Sequence, residues 1–204
     1  MNASFDPRDE THRAERSAGT PSGHRGHIGP LAPQEQAIWD AHEAELSGRH
    51  HRIFVARVQA RVEGERLELA LERLVERHEE LRATFHETGS GPQRRVRANA
   101  EFHLEFVDAR RWSESELEDI VRLTAHQPMD LSASPVRAVL FTRSETDHAL
   151  LLVAHRIAVG AGRLRRILSD LRSLYDGEEL PLRSADPVEP PSGPATTPGG
   201  RGLL

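Results

Sequence analysis

The chain has neither cysteine nor lysine among its 204 residues. The first absence excludes thiol nucleophiles, disulfides and thiolate metal sites. The second makes all 27 basic side chains arginine, which reads as coding bias. Aromatic residues are scarce at 4%, so a core must be assembled from Leu, Val, Ile and Ala. The net charge of −5 comes from interspersed acids and bases and gives no basic face for nucleic acid. Residues 1–29 hold no apolar run, so they contain neither a signal peptide nor a membrane span. The expected location is cytoplasmic, with no membrane and no nucleic acid as partner.

Residues 1–29 have the composition of a disordered leader. Residues 30–180 read as one α/β domain, and residues 181–204, rich in Pro, Gly, Ser and Thr, as a disordered tail. Within the domain, Ile38, Ala41, His42 and Glu45 with Trp39 predict a helix over 33–46. Alternation of Phe54, Ala56, Val58, Ala60 and Val62 predicts a strand over 52–62. Leu67, Ala70, Leu71, Leu74 and Val75 follow helical spacing. Residues 81–86 continue as a strand, a turn covers 88–92, and 94–97 form the returning strand. Phe102, Leu104 and Phe106 alternate again.

Ser113 and Glu116 form a capping box that opens a helix over 114–127, stopped by Pro128. Residues 136–143 and 148–154 predict an antiparallel pair joined across 144–147. The second of these strands is almost wholly apolar, which places it centrally with both faces covered. Leu164, Ile167, Leu168, Leu171, Leu174 and Tyr175 mark a last helix ending at Asp176-Gly177.

The segment Arg77-His78-Glu79-Glu80-Leu81-Arg82-Ala83-Thr84-Phe85 resembles the RHExLRTxF motif of nonribosomal peptide synthetase condensation domains. These belong to the chloramphenicol acetyltransferase-like superfamily. Residues 30–39 resemble the family's opening PLSPAQxRLW, with Glu35 and Ala37 departing from it. Pro128-Met129-Asp130-Leu131 through Pro135-Val136-Arg137-Ala138 resembles its FDL…PLxRA passage. The resemblance covers about 30–180 and implies the N-terminal half of such a domain, with a mixed, largely antiparallel sheet covered by helices.

By this resemblance the family's HHxxxDG motif falls on the loop after the apolar strand: His155 on the first histidine, Arg156 on the second, Gly160 on the aspartate and Ala161 on the glycine. The second histidine is held to position or deprotonate the attacking amine. A guanidinium stays protonated and cannot take that proton. His155 and Arg156 are neighbours on a strand and face opposite ways, so His155 is expected to be a packed core histidine. The family aspartate is thought to pair with an arginine of the sheet, here Arg82. With Gly160 in its place, Arg82 is expected to reach solvent or to pair with Glu79. Arg77, His78, Glu79 and Arg82 are the structural motif.

The resemblance therefore implies a truncated, non-catalytic carrier- or partner-binding module, or alternatively an acyltransferase whose site a second subunit completes. A homo-oligomer is compatible with either. No bound cofactor is expected, and the phosphopantetheine arm of a carrier protein is the candidate contact, its phosphate held by Arg156, Arg163, Arg165 and Arg166. No metal is expected; His50 and His51 read as surface residues.

Overall fold

The computed structural model describes residues 28–45, 48–98 and 102–180. The leader and tail assigned to 1–29 and 181–204 lie outside these, except that a strand already begins at Ile28. That strand, β1 (Ile28–Pro30), precedes helix α1 (Pro33–Ala44), strand β2 (His51–Val58) and helix α2 (Gly64–Arg77). Strands β3 (Ala83–His86), β4 (Gln93–Val96) and β5 (Leu104–Asp108) follow, then α3 (Glu114–His126), β6 (Val136–Ser144), β7 (Asp147–His155) and α4 (Ala161–Asp176).

Two sheets form. A small antiparallel one has the order β1-β4-β3, and the main one has the order β2-β7-β6-β5, antiparallel except for the parallel β5–β6 pair. Strand β7 is the spine, and its two faces enter two different cores. Leu150, Leu152 and Ala154 pack with Leu67, Leu71 and Leu74 of α2 and Ile167 and Leu171 of α4. Ala149, Leu151 and Val153 pack with Trp39 of α1, Leu117 and Val121 of α3, and Phe85 of β3. A strand with both faces covered can be apolar throughout, which is why the run 149–154 carries no polar alternation.

Local chemistry explains most boundaries. Ser113 Oγ accepts from the amide of Glu116 at 3.2 Å and Glu116 Oε2 accepts from the amide of Ser113 at 2.7 Å, completing the expected capping box. Helix α4 ends on Gly177 at φ 87°, a left-handed conformation that favours glycine, and Glu178 N–H closes the turn onto Ser173 O at 2.9 Å. The β6–β7 connection is tighter than 144–147, with strands running to Ser144 and from Asp147.

Three sequence expectations are corrected. Strand β2 stops at Val58 and not at Val62, because Val58 faces His148 at the start of β7 and later residues have no strand to pair with. Residues 79–82 form a 3₁₀ turn, so β3 starts only at Ala83. Phe106 does not join Phe102 and Leu104 in the core; it is 53% exposed, its ring lying over the start of α2 at Gly64.

Candidate functional site

The loop after β7 is held from both sides by main-chain bonds. His155 N–H donates to Pro135 O and Arg156 N–H to His50 O, both at 2.8 Å, so the strand remains tied to its neighbours up to its last residue. Ala158 and Val159 then donate to His155 O at 3.1 and 3.0 Å, folding the chain into a turn. Ile157 and Val159 insert into the core and leave Arg156 exposed between the buried His155 and Ile157. His155 is thus buried and Arg156 exposed, the chain leaving β7 at His155 and entering the turn at Arg156.

His155 is 0% exposed. Its Nδ1 accepts from the amide of Ile157 at 3.3 Å, and its Nε2 has no partner among the described residues. Three further imidazoles surround it. His42 lies edge-on at 4.9 Å between ring centroids, His51 edge-on at 5.7 Å, and His50 tilted at 5.8 Å. Burial, then the neighbouring His42, His51 and His50, and Arg156, push His155 down to about 3. Burial also lowers His42, and it lowers His51 despite the bond from its Nδ1 to Ala125 O at 2.9 Å.

His50 and His51 are therefore not surface residues; they are half-buried members of this cluster. The sequence carries no signal for the gathering, since α1, the start of β2 and the end of β7 meet only in three dimensions. Four rings packed around one another do not make a chelate: among the described residues no group of three or more His, Asp or Glu side chains is arranged to hold a metal ion.

Gly160 is the N-cap of α4, in extended conformation at φ −67°, and a Cβ there would meet nothing within 4 Å. Space does not demand glycine at this position. Arg82 is half-exposed and does not pair with Glu79; it donates to the main-chain carbonyls of Arg97 and Ala98, the latter at 3.2 Å. Carbonyl dipoles stand where a carboxylate was expected, while its buried Nε has no partner among the described residues. Glu79 instead pairs with Arg94 at 3.5 Å.

The remaining motif residues build a polar clamp between α2 and α4. His78 places Nε2 at 2.9 Å from Asp170 Oδ2 and Nδ1 at 3.4 Å from Glu80 Oε1. Arg77 Nε reaches the same Asp170 oxygen at 2.9 Å, and Arg163 reaches Glu80 at 3.3 Å. Burial by itself would raise Glu80, but the hydrogen bonds from His78 and from its own amide, with a smaller contribution from the charge of Arg163, outweigh it and bring Glu80 down to about 2. Arg163, Arg165 and Arg166 all stand exposed on α4, and Arg163 also reaches into the fold to Glu80.

A four-stranded mixed sheet with helices on both sides, whose interior strand β7 ends on a buried histidine and leads through a short loop into a helix, is the layered α/β half-domain that the sequence predicts. The family model for the condensation domain matches residues 28–189, and the chain belongs to that family. It is 29% identical over 168 residues to chondramide synthase cmdD of Chondromyces crocatus, covering 79% of this chain and 4% of the synthase. It is 28% identical over 153 residues to gramicidin S synthase 2 of Brevibacillus brevis, covering 74% and 3%.

Among solved structures, the starter condensation domain of rhizomide synthetase RzmA superposes with a TM-score of 0.68 at 16% identity, covering 75% of this chain and 39% of that one. The X-domain solved in complex with OxyB from teicoplanin biosynthesis matches with a TM-score of 0.66 at 27% identity, covering 76% and 34%. The chain thus spans about two fifths or less of these solved chains and a few per cent of the curated synthases.

Proposed function

We propose that this chain is a non-catalytic condensation-domain-like module that binds a carrier protein or synthetase partner in nonribosomal peptide assembly. The observation that carries the reading is the disposition of the loop after β7: the guanidinium of Arg156 faces solvent, while His155 is shut inside a cluster of imidazoles. A guanidinium cannot accept a proton from an amine at neutral pH. An imidazole with no exposed surface cannot reach one.

The X-domain supports the same reading, being a relative solved in a protein–protein complex with OxyB. The phosphate of a phosphopantetheine arm is assigned to the exposed guanidinium groups of Arg156, Arg163, Arg165 and Arg166, of which Arg163 also reaches Glu80.

The test is calorimetric titration of the purified chain with phosphopantetheinylated carrier domains and with synthetase modules, together with a single-turnover acyl-transfer assay. The expected result is saturable binding without transfer. Absence of affinity for all of them overturns the reading. Acyl or peptidyl transfer that His155→Ala abolishes would establish the acyltransferase alternative. Reversal of Arg156 and Arg165 to Glu with no loss of carrier binding removes the phosphate-holding role.

A further inference from the structure

A cavity of about 670 Å³ opens between α1, the end of β3 and the loop after α3. It lies within the volume range of small-molecule sites, roughly 300–1,000 Å³. Trp39, Phe85, Met129 and Leu131 give it an apolar floor, all of them buried. Three carboxylates, Glu43, Glu87 and Asp130, stand at its exposed rim, and no arginine lines it in a chain with 27 of them. Among the described residues neither Glu43 nor Glu87 has an ion-pair partner. Asp130 is fixed by its own turn, Oδ1 accepting from the amide and hydroxyl of Ser132 at 2.9 and 2.6 Å.

We propose that this cavity binds a small organic ammonium ion with an apolar body, such as an arylalkylamine. The apolar part lies on the floor of Trp39, Phe85, Met129 and Leu131, where it is removed from water. The ammonium group meets the carboxylates of the rim through charge-assisted hydrogen bonds. His42, only 4% exposed, forms part of the wall and has no partner for its Nδ1. Burial lowers the pKa of that imidazole and so favours its uncharged form, and the second histidine of the wall, the half-buried His86, has its Nε2 at 2.9 Å from Thr84 Oγ1. An anion would face three carboxylates, and a neutral apolar molecule would strip water from them without replacing it. The site is independent of the partner-binding role, since it requires neither Arg156 nor a carrier.

The test uses 2-phenylethylammonium as probe and 3-phenylpropionate, of similar size and opposite charge, as control, titrated into the whole ¹⁵N-labelled chain. The expected result is saturable shifts at Glu87 and in residues 129–132 with the amine and none with the acid. Replacing the two exposed carboxylates together, Glu43→Gln with Glu87→Gln, is expected to weaken binding about tenfold, two rim charge pairs at typical exposed strength. No saturable binding of the amine, equal binding of the acid, or undiminished binding by the double variant overturns the proposal.

Discussion

Lowering the pH from 7 to 5 is expected to destabilise the fold through the histidine cluster. In the unfolded chain an imidazole titrates near 6.5, whereas folded His155 is held down to about 3. Below 6.5 the unfolded state therefore binds a proton that the folded state refuses. The His155 contribution is intact above pH 6.5 and is lost as pH falls toward 3, at about 1.4 kcal/mol per pH unit. At pH 5 this amounts to roughly 2 kcal/mol from His155 alone, a sizeable part of a typical 5–15 kcal/mol. His42 and His51, both lowered by burial, add to it with the same sign. The lowered carboxylates Glu80 and Asp170 hold their stabilising charge across this range and release it only in stronger acid, so pH 5 to 6.5 isolates the imidazoles. The assay is urea unfolding followed by far-UV circular dichroism at pH 7, 6 and 5. His155→Leu lowers stability at pH 7 by leaving Ile157 N–H without its acceptor, yet it flattens the pH slope by about one proton. A wild-type stability that is flat from pH 7 to 5, or a leucine variant that keeps the full slope, would refute the reasoning.

Gly48→Ala is expected to cost about 1–3 kcal/mol in the same unfolding assay, because its Cβ would lie 2.6 Å from His126 Cα, a main-chain atom that no rotamer change moves away. Gly160→Asp supplies an N-cap acceptor and a negative charge at the start of α4 without a clash, and is expected to raise stability by a few tenths to about 1 kcal/mol while producing no acyl transfer. Asp170→Asn weakens both Arg77 and the Nε2 contact of His78; a loss of roughly 2–3 kcal/mol is expected, with faster amide exchange in α4 than in α3. Equal acceleration in the two helices would deny the clamp its local role.

Much of the fold was legible because periodicity and caps are local. The stripe Leu67, Ala70, Leu71, Leu74 and Val75 identifies α2, and Ser113 with Glu116 fixes the start of α3 to the residue. The apolar run 149–154 identifies the central strand before any partner is known. The length of β2 was not legible, since its end is set by the start of β7, a strand almost ninety residues away in sequence. Phe106 misleads for a related reason: its place at the sheet margin, over Gly64, takes it out of the core that its spacing from Leu104 suggests.

The candidate site divides along the same line. The sequence by itself determined that no base stands at Arg156 and no acid at Gly160, because the chemistry of a guanidinium and of a missing side chain does not depend on context. Strand alternation predicts His155 inside and Arg156 outside, and the two are so placed, but β7 ends at His155 and it is the turn that carries Arg156 outward. Only the tertiary structure decided what surrounds them. It brought His42, His50 and His51 against His155 from two other elements, gave Arg82 two carbonyls in place of an acid, and drew Arg163 onto Glu80. Burial and pairing are properties of where chain segments meet, and that meeting is set by the packing of two cores on the two faces of β7.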